Sequence, residues 1–373
     1  MSTLNWVVIL IEVEGESLSK ELIVYLKTTD TCQLNCDHCF TNGNMGSKKF
    51  FNVEQTIKFF EEMHRLVPVY SGGHIAFHGG EPMLCPVNMM NEAYAGIKDL
   101  WPNIWWSVQT NLTYNLTDEK MKFFETVCNK SFGTSWDYGI RWKSPKQKAI
   151  WAENVKHLTG QGHELTVMVS LNKNLIQNVE PIQVIEEMIE LGVKYVNFER
   201  ITPNGNARLN DQIFPTNQEL DAWSMKMWEQ SKENNTWKKI GNLFLDSVLT
   251  SFVHGTYSGC RSRQCEQKIY TINASGTIGG CPNSATTEHY GTIFDPIESV
   301  IFNPKRMCNI QKEAVRNPVC GTCDVFDICN GDCHQLAWQG DLCAAPKTLM
   351  RELKIAQKSQ QSLEALNGYM GQE

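Results

Sequence analysis

Cys32, Cys36 and Cys39 fall within the ten residues TCQLNCDHCF, at the spacing C-x3-C-x2-C. Three is an awkward number for cysteine chemistry. A disulfide pairs two thiols and a structural zinc ion takes four. Three thiolates on one short loop can hold three irons of a [4Fe–4S] cube and leave the fourth iron open to a substrate or cofactor. A second motif, HGGEP at His78–Pro82, joins two glycines that allow close backbone approach to a carboxylate, Glu81, that can accept hydrogen bonds from an ammonium group. Taken alone, HGGEP is also an ordinary glycine–proline turn. Of the fourteen cysteines, nine lie between Cys260 and Cys343, and Cys85 and Cys128 stand apart. Such clustering in a reducing compartment favours metal ligation over disulfides.

Those residues must be positioned by something regular. Segments 21–29, 74–78, 104–110, 132–138, 164–171 and 194–201 are rich in apolar and β-branched residues and read as strands. Segments 52–67, 88–100, 117–128, 146–160, 180–192 and 217–233 carry helical spacing, with Asn52 and Thr117 as N-cap candidates. Six strand–helix units in alternation imply a parallel sheet with right-handed crossovers. Six are too few to close an eight-unit barrel, so the fold class expected is α/β, a partial (β/α)6 barrel, followed by a small cysteine-rich module. In such barrels chemistry sits at the C-terminal ends of the strands, which is where the trio falls, directly after strand one. The domain organisation expected is an N-terminal extension with a β-strand (1–20), the barrel (21–234), the cysteine-rich module (235–345), and an amphipathic helix over 346–366 within a tail to 373. Within 256–345 the sequence shows short β-like pieces and little helical periodicity.

The bulk properties exclude several classes. The chain has 373 residues, 42% hydrophobic and 20% charged, enough to bury a large core. A net charge of −7 gives no reason for nucleic-acid affinity. No apolar run approaches the roughly 18 residues of a membrane span. The apolar stretch Trp6–Ile11 has no basic flank before it and acidic residues after it, unlike a signal peptide. A cytoplasmic protein is expected.

Together, CQLNCDHCF and GGEP resemble the radical S-adenosylmethionine (SAM) superfamily, over about residues 21–201. The resemblance implies that Cys32, Cys36 and Cys39 ligate a cluster whose open iron chelates SAM. It implies that Gly79, Gly80 and Glu81 meet the SAM amino group, and that His38, in place of the usual aromatic, lies where backbone contacts the adenine. By the same similarity Ser135 is a candidate for the ribose or carboxylate, Asp137 for the ribose, and Arg141 for the carboxylate, which suits a planar guanidinium. Ser170 and Asn172 fall near the ribose, and Ile201 is placed to pack on the adenine. Each of these side chains can equally be a helix cap or turn residue.

The C-terminal pattern, Cys265-x10-Gly276-x4-Cys281 followed by C-x2-C-x5-C-x3-C from Cys320 to Cys333 and then Cys343, resembles the SPASM domain of radical SAM peptide maturases. With Cys260 upstream, the family pattern implies two auxiliary [4Fe–4S] clusters, one on Cys260, Cys265, Cys281 and Cys333, the other on Cys320, Cys323, Cys329 and Cys343. Spacing alone suits two all-cysteine zinc sites equally well. Cys85, Cys128 and Cys308 fit no ligand position.

The implied reaction is reductive cleavage of SAM to a 5′-deoxyadenosyl radical that abstracts hydrogen from a residue of a ribosomally made precursor peptide, with reducing electrons from a flavodoxin- or ferredoxin-type donor. A crosslink is the product expected, a carbon–carbon cyclophane ahead of a thioether, on the resemblance of residues 133–208. Formylglycine formation in sulfatases fits less well, because that family places an aspartate directly after the cysteine equivalent to Cys281, where this chain has Pro282 and Asn283. Outside enzymology, a metal-organised binding module or electron carrier remains, though neither needs an open-iron trio beside GGEP.

Overall fold

The first strand shows why the barrel forms. In β1 (Lys20–Thr29) alternate residues Leu22, Val24 and Leu26 are fully buried against the helical layer. Tyr25 and Lys27 take the opposite face, as the two-residue period of a strand dictates. The computed structural model describes residues 20–357, apart from 42, 285 and 286; the expected N-terminal strand over 1–20 and the helix beyond 357 therefore lie almost wholly outside the described residues.

The barrel runs β1, α1 (Val53–Leu66), β2 (Tyr70–Gly79), α2 (Val87–Ile97), β3 (Asn103–Val108), α3 (Asp118–Thr126), β4 (Ser131–Trp136), α4 (Pro145–Gly160), β5 (Glu164–Leu171), α5 (Lys173–Asn178), α6 (Pro181–Glu190), β6 (Tyr195–Arg200) and α7 (Asn217–Asn234). The helices begin where capping chemistry permits. The Asn52 side chain accepts from Gln55 N–H at 2.9 Å, Thr117 and Ser144 cap α3 and α4, and Thr216 with Glu219 forms a capping box on α7. Strands β1–β2–β3 and β4–β5–β6 pair in parallel as two sheets. Among the described residues they meet at a single bridge, Gln109 to Gly133, as expected of a wall left open.

Strand β2 starts four residues earlier than the sequence suggests. Its Ser71-Gly72-Gly73 reads as a breaker, but a Cβ at Gly73 (φ +142°) would strike the Leu22 carbonyl, so glycine is what lets β2 lie against β1.

Both edges of the wall are extended by chain that follows α7. Strand β7 (Gly241–Asn242) pairs with β6, and α8 (Leu243–His254) follows it. After α9 (Cys265–Lys268), β8 (Ile269–Ile272) pairs in parallel with β1, and the hairpin continues through β9 (Thr277–Gly279) to β10 (Gly291–Thr292). Helices α10 (Ile297–Ile301), α11 (Pro304–Ala314), α12 (Phe326–Cys329) and α13 (Lys347–Gln357) complete the described chain. Helix α11 departs from the expectation of little helix in this region. The residues it buries are Arg306, Asn309 and Glu313, a polar stripe that leaves no apolar period to read. No helix among the described residues is long and apolar enough to cross a membrane.

Candidate active site and cysteine quartets

The trio's loop leaves β1 at Thr29 and is pinned by main-chain bonds from distant elements. Cys32 N–H donates to the Gly43 carbonyl at 3.1 Å, Cys39 N–H to Cys36 at 3.2 Å, and Asp37 N–H to Ile140 at 3.0 Å. From the segment after β6, Asn206 donates its N–H to the Cys39 carbonyl at 2.7 Å and its Nδ2 to the Cys36 carbonyl at 3.1 Å. These bonds curl the loop independently of any side chain in the trio. Two donors aim at a sulfur: Leu34 N–H at 3.3 Å and Asn111 Nδ2 at 3.4 Å, both on Cys32 Sγ. Donors to sulfur and a trio of thiols on one pinned loop suit a thiolate-held cluster. Burial first, then neighbouring Glu81, pushes the Cys32 thiol up to about 12, and burial pushes Cys36 to about 11. In the metal-free chain these are thiols, and metal must displace their protons.

HGGEP closes over the same loop. Gly80 and Glu81 donate their N–H groups to Thr29 and Thr31 carbonyls, both at 2.9 Å. A Cβ on either Gly79 or Gly80 would meet those same carbonyls, so the two glycines are required by the approach of β2 to the end of β1. Glu81 is fully buried. Its carboxylate accepts from Thr110 Oγ1 (2.6 Å), Asn111 N–H (2.7 Å) and Met83 N–H (3.0 Å). Burial raises it to about 7 against the pull of those bonds. Three of about four acceptor directions are thus engaged inside the protein.

The side chains expected on strands four and five meet one another. Asp137, fully buried, accepts from Arg141 Nε at 2.5 Å and Ser170 N–H at 2.7 Å, and His38 Nε2 lies 3.3 Å from it. Burial alone would raise the Asp137 carboxyl; Arg141, then His38 and the hydrogen bonds, overcome this and hold it far below the usual range. The terminal nitrogens of Arg141 make no hydrogen bond among the described residues, and buried His38 Nδ1 has no partner. Ser135 Oγ accepts from Gln109 Nε2 at 2.9 Å. Asn172 is fully buried, accepts from Leu175 N–H at 3.0 Å as the cap of α5, and donates to the Tyr138 and Ser170 carbonyls. Ile201 packs on a small cluster of Ile140, Ala207 and Ile213.

Two inward-facing groups were not singled out from the sequence. Lys27 is fully buried beside Phe40, and burial lowers it to about 8 against the pull of Asp30 and Cys39. Glu199 accepts from Asn197 Nδ2 at 2.7 Å and is raised by its surroundings. Both occupy the inward parity of their strands, the signal that would have found them.

The module brings its eight thiols together in two sets. Cys260 lies beside Cys265 and Cys333, and Cys281, raised chiefly by burial, is raised further by neighbouring Cys333. Cys320, Cys323, Cys329 and Cys343 line one small cavity under Trp338. Among the described residues no group of three or more Cys, His, Asp or Glu is arranged to hold a metal ion as it stands. Cys85 and Cys128 are buried and Cys308 is exposed, and none belongs to either set.

Known structures share this architecture. The protein anSMEcpe, solved with bound AdoMet, superposes with a TM-score of 0.73 at 16% identity, over 93% of this chain and 96% of that one. SuiB of Streptococcus suis bound to S-adenosylmethionine gives 0.61 at 13% identity, over 84% and 73%. SuiB bound to its precursor peptide SuiA gives 0.60 at 13%, over 84% and 72%. The chain shares the fold of these structures. No protein-family model matches the sequence, and no curated protein matches it.

Proposed function

We propose that the chain is a radical SAM enzyme that crosslinks a ribosomally made peptide. The observation that carries this reading is the pinned Cys32–Cys36–Cys39 loop at the mouth of the barrel, with Glu81, Asp137 and Arg141 around it. The trio would hold a SAM-binding [4Fe–4S] cluster and the quartets two auxiliary ones. Bound there and reduced by a flavodoxin- or ferredoxin-type donor, SAM supplies a 5′-deoxyadenosyl radical able to take hydrogen from an unactivated carbon.

The chain's own residues position and shield that chemistry. Asp137 fixes Arg141, whose free terminal nitrogens suit the planar SAM carboxylate. Glu81 keeps one acceptor direction for the SAM ammonium while its other bonds hold the ends of β2 and β3. Ser135 and Ser170 would meet the ribose of bound SAM, and Ile201 would pack on its adenine. Asn172, with both ends of its amide engaged, acts by shaping the loop after β5. The peptide partner is supported by the shared fold: SuiB has been solved with precursor peptide SuiA, and anSMEcpe with the Kp18Cys peptide.

After hydrogen abstraction, a carbon radical on the peptide attacks a nearby aromatic ring or sulfur. The abstracted hydrogen leaves in 5′-deoxyadenosine, and loss of one further electron, which the auxiliary clusters of the quartets would accept, and of one proton completes the bond. The product is therefore expected to be lighter than its precursor by two hydrogen atoms, as read by mass spectrometry after co-expression with a candidate precursor peptide. Retention of an iodoacetamide-reactive thiol would indicate the favoured carbon–carbon cyclophane, and its loss a thioether. Unchanged mass, or exchange of a cysteine sulfur for oxygen as in formylglycine formation, would refute the crosslink.

A further inference from the structure

Arg200 ends β6, and its guanidinium reaches into the cysteine-rich module. It grips Asp332 with both terminal nitrogens, Nη1 to Oδ2 at 2.6 Å and Nη2 to Oδ1 at 2.8 Å, and Nη1 also donates to the Ala344 carbonyl at 3.0 Å. Asp332 is only 4% exposed. Its position relates it to both quartets. Its Oδ1 accepts the N–H of Cys333, from the first quartet, at 2.7 Å, and its own N–H donates to the carbonyl of Cys329, from the second, at 3.1 Å. Ala344 directly follows Cys343, also of the second quartet. The Asp332 carbonyl is held in turn by Arg263 Nη1 at 2.8 Å. The ion pair therefore lies where the two quartets meet.

Stability is a poor reason for a charged pair at this place, because a well-packed apolar pair of similar volume is often no less stable than a buried salt bridge. Charge is a better one. A fixed charge in a low-dielectric interior acts strongly on a neighbouring group that gains or loses an electron, and hydrogen bonds and nearby charge are established controls of cluster potential. We propose that the Arg200–Asp332 pair sets the electron affinity of the clusters held by both quartets, and does so as two opposite charges in balance. The inference rests on the reading that each quartet holds a [4Fe–4S] cluster.

The test is a potentiometric titration of the anaerobically reconstituted full chain, followed by electron paramagnetic resonance, with iron content measured first. Arg200→Met removes the cation paired with Asp332, leaving the nearby buried Arg261 to offset its carboxylate in part, and is expected to lower the auxiliary potentials. Asp332→Asn leaves an uncompensated guanidinium and is expected to raise them. The double variant, neutral overall, is expected to return them to near the parent's values, and Arg200→Lys, which keeps the charge but loses the fork, to shift them less than Arg200→Met. A role in packing alone would move both single variants in the same direction or neither. Either result overturns the inference while leaving the proposed function standing. If a single variant loses its iron, the double variant decides: parental potentials support charge balance, and a large displacement overturns it. About four irons per chain in the parent, one cube only, would overturn the assignment of the quartets and this inference with it.

Discussion

Changing Cys32, Cys36 and Cys39 together to alanine is expected to abolish deoxyadenosine formation from SAM while the protein stays folded. Iron should fall from about twelve to about eight per chain, the loss of one cube of four. The structure gives the reason for both halves. The loop's shape is held through main-chain groups: Cys32 N–H to Gly43, Cys39 N–H to Cys36, and Asn206 to the carbonyls of Cys36 and Cys39. Alanine keeps every one of these bonds. Only Cys36 of the three is buried, so the packing lost is small, about 1 kcal/mol by the scale of one deleted buried group. The eight quartet thiols belong to the module, whose contacts with the barrel, β8 on β1, β7 on β6, Arg200 to Asp332 and Asn217 to Leu342 among them, use none of the three cysteine side chains. Iron content, a thermal melt and chromatography of deoxyadenosine after anaerobic reduction check the three claims together. SAM cleavage above background in the triple variant would show that the site has been misplaced. Loss of all iron would show that the trio and quartets are not separate.

Much of the scaffold can be read from the chain because its signals are local. Strand parity, caps such as Asn52 and Thr216, and alternation with helices all act over a few residues. What cannot be read is what distant residues settle between them. Helix α11 buries Arg306, Asn309 and Glu313, whose partners come from other segments: Arg306 donates to the Gln267 carbonyl, and Glu313 accepts from Cys265 and Glu266 N–H. Its Asn303-Pro304 start was nonetheless a helix signal. The docking of β8 on β1 joins residues about 250 apart in sequence, which no periodicity reveals. In the site, Asp137 and Arg141 are four apart and their pairing is legible, but His38 arrives from another loop. Sequence presents the three as separate candidates for ligand contacts. The structure joins them to one another first, so their geometry is fixed before any ligand arrives.

That joining makes Asp137 the most sensitive single position. Asp137→Asn is expected to destabilise the protein by about 3–5 kcal/mol, the range for removing one partner of a buried ion pair. Asparagine can still accept from Ser170 N–H, but it leaves the largely buried Arg141 guanidinium without a carboxylate partner. SAM affinity should fall as well, because Arg141 loses the bond at Nε that aims its free nitrogens. Removing both charges, in Asp137→Asn with Arg141→Met, should recover part of the stability but none of the SAM binding, which separates the fold's need for the pair from the ligand's. The pH dependence has a definite sign. Folding holds the Asp137 carboxyl far below its usual range, since Arg141 and then His38 outweigh the upward push of burial. A depressed carboxyl stabilises the folded chain above its unfolded pKa, about 3.9, and that contribution is lost as pH falls below it. The parent's stability should therefore drop on acidification through about pH 4, and this part of the drop should be missing from Asp137→Asn. Urea unfolding at pH 7 and at several acid values measures it. An Asp137→Asn protein as stable as the parent at pH 7, or one with the same acid slope, would remove the ion pair from its place at the centre of the site.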